Sequence, residues 1–311
     1  MKEKNTFSKI RKISLLAVII VLAVIYICQV SFTGRSKIKT LTLNEEIDSL
    51  QINDLKIYKE NGNWFLGEKK YPANEAKVNN LVNDVKEIKL LGTASTSFKN
   101  AERYGLTDEE KISVQAFGNG NLLREIFVGK NTSTNSQSYI CVDNKNSIYL
   151  AQNALHTNFT VSIDSLRKNE IFNIDSNSIV ELELNSSNGN FVLVKNIPQG
   201  TSEVSESTWN LVKSENTGVE TSDVLDKQKI DSWVKSISNL QASKWLEDDF
   251  VLPSSSDVSL KITAAGKTFT VDLYYEDDEQ EITAFSNSSP YAFKVQSYVA
   301  NRIDKKLSEL K

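Results

Sequence analysis

The chain has 311 residues, 40% hydrophobic and 24% charged, with a formal net charge of -4. That length allows about two domains, and the composition is ordinary for a globular protein. Residues 1–12 hold five cations (Lys2, Lys4, Lys9, Arg11, Lys12) against Glu3, a balance of +4, so residues 13–311 carry -8. No cluster of Lys and Arg offers the basic face that phosphate backbones need, so a nucleic-acid partner is not expected.

From Ile13 to Cys28 the chain is apolar except for Ser14, and Val30 and Phe32 extend the run. About 20 helical residues match a hydrocarbon core of roughly 30 Å. The run 13–32 therefore predicts a transmembrane anchor that contacts the lipid bilayer. A cleaved signal peptide would end in small residues, whereas this segment ends Tyr26-Ile27-Cys28-Gln29-Val30. A lipoprotein signal would want a small residue before Cys28, where Ile27 stands. The cations before the run keep residues 1–12 in the cytoplasm as a basic tail. Arg35, Lys37 and Lys39 weaken the asymmetry, but long downstream domains cross regardless of charge. Residues 33–311 are then extracytoplasmic. Cys28 in the anchor and Cys141 far along the chain cannot pair, and no Cys-x-x-Cys motif occurs.

Alternation at Leu50, Ile52, Leu55 and Ile57 predicts short half-buried strands. Asn61-Gly62-Asn63 reads as a hairpin turn before the strand Trp64–Leu66. Pro72 and Asn74 introduce a helix from about Glu75 to Lys89, with Val78, Leu81, Val82, Val85 and Ile88 on one face. Strands 111–117 and 122–128 follow, joined by Gly118-Asn119-Gly120. Strands near 138–142 and 147–151 and a polar-faced helix at roughly 152–166 complete this half. The second half predicts strands at 179–184 and 190–195, a strand at Trp209 and a helix at 226–240. Strands at 257–263, 267–275, 281–285 and 291–295 come next, then a final helix at 296–309. A polar link lies near Asp175–Ser178, and Pro198–Ser207 reads as an inserted loop.

The two halves repeat each other. Tyr104-Gly105-Leu106 corresponds to Phe250-Val251-Leu252 at an offset of 146, together with Ile112 and Val258, Val114 and Leu260, Gly120 and Gly266, Leu123 and Phe269, and Phe127 and Leu273. Trp64 matches Trp209 at 145, the helix stripe 78–88 matches Ile230, Trp233, Val234, Ile237 and Leu240 at 152, and 148–152 matches 292–296 at 144. Small indels at turns account for the drift. The expectation is an α+β protein with an N-terminal transmembrane helix and two tandem repeats, 45–172 and 178–309. Each repeat is an antiparallel sheet with a helix packed on one face. Leu106 and Leu252 are expected to be buried alike.

This order of motifs resembles the domain-of-unknown-function family numbered 4340. The resemblance covers roughly residues 45–300. It rests on Trp64, Tyr104-Gly105-Leu106, Val128-Gly129, Ser147–Ala151, and Leu166-Arg167-Lys168 with Ile171-Phe172. The second half departs at Val251, which stands for the turn glycine, and at Tyr275, which stands for Gly129. The resemblance implies membrane-anchored envelope proteins, often encoded beside subunits of an ABC-type transport system like that of gliding bacteria. It carries no functional residues.

No catalytic, cofactor-binding or metal-binding residues are singled out. His156 is the only histidine. It reads as a surface residue, without partners for a metal or a Gly-x-Ser-x-Gly elbow for a triad. Gly118-Asn119-Gly120 reads as a hairpin turn rather than a phosphate loop. The acidic run Glu276-Asp277-Asp278-Glu279 reads as a solvated turn, with weak Ca²⁺ binding as the alternative. Trp64, Trp209, Trp233 and Trp245 read as core, with a ligand-binding face as the alternative. The expected function is an anchored accessory or binding protein with membrane transport subunits as partners, no catalysis of its own and no cofactor. A structural protein that binds cell-wall polymer is the alternative, and an envelope hydrolase a remote one.

Overall fold

The structure, a computed structural model, describes Leu15 and residues 17–26, 38–143, 146–196, 207–217, 224–276 and 280–311. Leu15 and residues 17–26 are helical and exposed, and no helix among the described residues is long and apolar enough to cross a membrane. The expected anchor 13–32 falls only in part within the described residues. The basic tail 1–12 falls outside them.

The fold is α+β, its sheets antiparallel, and the chain divides into two units, 1–167 and 168–311. The first unit holds β1 (Lys39–Thr42), β2 (Ser49–Ile52), β3 (Leu55–Glu60), β4 (Asn63–Leu66) and β5 (Tyr71–Pro72). The helix Glu75–Lys86, β6 (Glu87–Ser95) and the 3-10 turn Phe98–Tyr104 come next. The meander β7 (Ile112–Gly118), β8 (Asn121–Asn131), β9 (Ser138–Val142) and β10 (Ile148–Ala151) then leads to short helices at Leu155–Phe159 and Ile163–Leu166. Its ten-stranded sheet runs β1-β6-β10-β9-β8-β7-β2-β3-β4-β5.

The second unit holds β11 (Glu170–Asn173), β12 (Ile179–Ser186), β13 (Gly189–Asn196), β14 (Thr208–Glu215), the helix Lys227–Ile237, β15 (Asn239–Gln241) and β16 (Lys244–Trp245). It continues with β17 (Val258–Ala264), β18 (Lys267–Tyr274), β19 (Glu281–Ser286), β20 (Phe293–Gln296), the helix Ser297–Ile303 and the 3-10 turn Leu307–Leu310. Its eight-stranded sheet runs β14-β13-β12-β17-β18-β19-β20-β16, and β11 pairs with β15. Read from the opposite edge, the first sheet runs β4-β3-β2-β7-β8-β9-β10-β6 inside β5, which is the same order, strand for strand.

The registers agree at four corresponding pairs. Val114 faces Ile52 as Leu260 faces Leu184. Lys59 faces Trp64 as Lys195 faces Trp209. Tyr149 faces Thr93 as Phe293 faces Trp245. Leu41 faces Ile88 as Phe172 faces Leu240. The last pair makes β11 the counterpart of β1. The second copy therefore begins after Arg167, and the expected limits 45–172 and 178–309 move to 39–167 and 168–311. The strand at Ile171-Phe172 belongs to the second copy, where both residues join its core.

Local chemistry explains these elements. Both helices open on a side-chain cap: Asn74 accepts from Lys77 N, and Asp226 accepts from Gln228 N and Lys229 N. Each cap saves a backbone donor that the helix cannot satisfy itself. Substituting either by alanine is expected to cost about 1 kcal/mol, read from a denaturant midpoint. Both helices bury one stripe: Val78, Leu81, Val82 and Val85 in the first, Ile230, Trp233, Val234 and Ile237 in the second. They end sooner than expected, at Lys86 and Ile237, because Ile88 and Leu240 continue the same buried face from strands. The expected closing helices 152–166 and 296–309 are each broken into two short segments. Asn119-Gly120 and Ala265-Gly266 turn their hairpins with left-handed backbone at both positions (φ 50 and 77, 48 and 74). That geometry matches strand twist.

Three expected equivalences shift by one residue. The hairpin β7–β8 carries a bulge: Phe117 faces Leu122 and Ala116 faces Arg124, leaving Leu123 opposite no residue. The hairpin β17–β18 has no such break. Past the bulge the offset is therefore 145, so Phe269 matches Arg124 rather than Leu123, Leu273 matches Val128 rather than Phe127, and Tyr274 rather than Tyr275 stands for Gly129. Leu106 is 4% exposed, whereas Leu252 is only half-buried and Val251 is 85% exposed. The expectation that both leucines are buried fails at Leu252. Gly129 has room only for hydrogen, since a Cβ there would lie 2.2 Å from Tyr104 O and 2.9 Å from Leu106 Cγ. At the matching place stands Tyr274, a large side chain that is 8% exposed.

Candidate functional site

Each unit closes in the same way on its helix. In the first, Asn74 N donates to Leu166 O at 2.7 Å and Lys77 Nζ to Ser165 O at 2.6 Å. In the second, Asp226 N donates to Leu310 O at 2.8 Å, and Lys229 Nζ donates to Lys311 O. Leu155, Phe159 and Leu166 are buried, as are Val299, Ile303 and Leu310, each pair 144 apart. The tail is thus pinned at the helix N-terminus by its last turn and packed below by its apolar residues. An open groove remains along the outer face of each helix.

The groove of the first unit has a volume of about 520 Å³ and is lined by Lys77, Asn80, Asn83 and Asp84 from the helix and Thr157, Asn158 and Thr160 from the tail. Amides hold its one carboxylate: Asn158 Nδ2 donates to Asp84 Oδ2 at 2.7 Å and Asn153 Nδ2 to Oδ1 at 3.3 Å. The groove of the second unit is larger, about 780 Å³, lined by Gln228, Lys229, Ser232 and Trp233 from the helix and Tyr298, Asn301, Arg302, Lys305 and Glu309 from the tail. It adjoins a cavity of about 410 Å³ that shares Ser236, Tyr298 and Arg302 and adds Lys235. Trp233 forms the floor and donates from Nε1 to Arg302 O at 2.7 Å. The Arg302 guanidinium lies 5.6 Å from the centre of the Tyr298 ring.

Behind this helix, Asp231 accepts from Trp209 Nε1 at 2.9 Å and from Lys227 Nζ at 2.6 Å. Burial pushes the Asp231 carboxyl up, but the bonds from Lys227 and Trp209 outweigh it and hold the group below its ordinary value. Burial pushes the Lys195 ammonium down, against the pull of Asp231. This cluster fastens helix to sheet and faces no cavity named above.

The features noted in the sequence land elsewhere. His156 is half-buried rather than on the surface; its Nδ1 lies 3.0 Å from Gly129 O, and its N–H donates to the Ser138 hydroxyl. Trp64, Trp209 and Trp233 are buried and Trp245 packs partly buried against Phe293. Cys141 is buried, and Cys28 lies outside the described residues. So do Asp277, Asp278 and Glu279 of the acidic turn. Among the described residues no three His, Cys, Asp or Glu are grouped to hold a metal. The grooves are not legible in the sequence because their walls are polar faces more than 60 residues apart. Their only signal was the shared polarity of the outer helix face and the tail.

A family model described as Domain of unknown function (DUF4340) matches residues 64–261, more than half of the chain. The chain belongs to this family. The DUF4340 match begins at Trp64 in the first sheet and ends at Lys261 in β17, so it spans both units. No curated protein and no solved structure matches the chain.

Proposed function

We propose that this DUF4340 chain is a membrane-anchored extracytoplasmic binding or accessory protein, built from two copies of one module and working beside a membrane transport complex. The observation that carries the reading is the repeated strand order of the two units, each with an open groove at the same place. Duplication followed by divergence of the groove linings is how one scaffold gains two contact sites, since function lives in sites grafted on a fold. The apolar run 13–32 behind five cations supports the tether, with the N-terminus in the cytoplasm. The resemblance to envelope proteins encoded beside ABC-type transport subunits supports the choice of partner.

Affinity purification of the full chain after mild detergent extraction is expected to bring down membrane transport subunits, identified by mass spectrometry. Repeated purifications that recover no membrane partner would contradict the reading.

A further inference from the structure

We propose that the groove of the second unit binds an acidic saccharide, a sugar chain bearing carboxylate or phosphate groups. The proposal rests on reading the units as binding modules, and it holds whether or not the chain is tethered beside a transporter.

The charge of the groove carries the first part of the argument. The chain as a whole has a net charge of -4. Yet this groove and the adjoining cavity gather Lys229, Lys235, Arg302 and Lys305 against Asp226 and Glu309. One of the two carboxylates, Asp226, is spent on capping the helix, and the other pairs with Lys305. With four cations against two carboxylates the concave lining is net positive, and such a site focuses its field on an arriving anion. The corresponding groove of the first unit has Asn158 where the second has Arg302, and Asp84 where it has Ser236. The scaffold itself therefore does not demand the positive lining. It is particular to the second copy.

The side-chain types carry the second part. Arg302 presents a planar fork suited to carboxylate or phosphate, and its Nε is buried without a hydrogen-bond partner. Tyr298 stands beside it with 66% of its surface exposed. An exposed ring backed by a guanidinium offers a flat face to a sugar ring, while the guanidinium takes the charge. Two contiguous open cavities make a trough, which suits a chain-like polar ligand better than a compact apolar one.

The test is equilibrium binding of the full chain in detergent to three probes: trigalacturonate, a glycerol-phosphate oligomer carrying glucose, and maltotriose as the neutral control. At least one acidic probe is expected to bind, more weakly as salt rises, and maltotriose is not. The two acidic arms separate carboxylate from phosphate as the charge recognised. Arg302→Gln is expected to weaken binding about tenfold or more, as loss of a charged hydrogen bond does. Tyr298→Ala, at an exposed position, is expected to weaken it several-fold with the thermal midpoint unchanged, and Asn158→Ala in the first unit is expected to leave it alone. Failure of both acidic probes would overturn the proposal. So would equal binding by both second-unit variants, or inorganic phosphate alone binding as tightly as the saccharides. None of these outcomes touches recovery of a membrane partner, which tests the broader reading.

Discussion

Replacing Trp233 by alanine is expected to cost about 3–5 kcal/mol of stability, the range for removing a large aromatic from a core. Trp233 is 4% exposed and lies 5.9 Å from the ring of Phe191 inside the second unit. It also donates to the carbonyl of Arg302, so truncation removes both packing and the bond that positions the tail helix. Its counterpart in the first unit is Leu81, also buried. Leu81→Ala is expected to fall at about 2–3 kcal/mol, because a smaller side chain is lost and no hydrogen bond with it. Denaturant unfolding followed by circular dichroism reads both. A loss under about 1 kcal/mol for Trp233→Ala, the scale of ordinary exposed sites, would contradict its place in the core.

The second large effect is an asymmetry between the copies. Leu106→Ala is expected to cost about 2–5 kcal/mol, and Leu252→Ala about 1 kcal/mol or less. In the first copy Gly105 adopts left-handed backbone (φ 65), and its N–H bonds back to Glu102 O at 3.1 Å. Leu106 N then reaches Ala101 O at 3.0 Å, and the side chain packs against Gly129. In the second copy Val251 cannot take that backbone cheaply, because a β-branched residue at positive φ is strained. Residues 246–257 take a shorter path than 96–111, and Leu252 stays half-buried. Equal losses at the two positions, read from the same unfolding transition, would contradict the placement of the two turns.

The parts of the fold legible in the sequence were those with a local period. The stripe Val78 to Ile88 and its match Ile230 to Leu240 follow helix spacing, and every one of those residues is buried. Trp64 and Trp209 were matched by order alone, and they occupy the same register position in their sheets. What escaped was long-range. The bulge at Leu123 has no composition cue, so an ungapped comparison ran one residue out of step beyond it. Strands β1 and β11 are four residues each and mostly not alternating in burial, so neither shows a strand period that would mark where a repeat begins. One copy solves a shared position with charge and the other with aromatics. Arg124 Nη1 caps the first helix by donating to Val85 O at 2.6 Å, while its register counterpart Phe269 packs 5.6 Å from Phe172. A buried cation and an aromatic ring share no sequence pattern, although both fill the gap between helix end and first strand.

The most direct measurement is a crystal structure of the chain, with the two units superposed on their meanders. Strands β7 and β8 should lie on β17 and β18, with Gly120 on Gly266, Val128 on Leu273 and Trp64 on Trp209. Ile52 should pair with Val114 where Leu184 pairs with Leu260. Different strand orders in the two sheets, or a second unit in which Leu184 and Leu260 do not pair, would contradict the duplication and the paired grooves that depend on it.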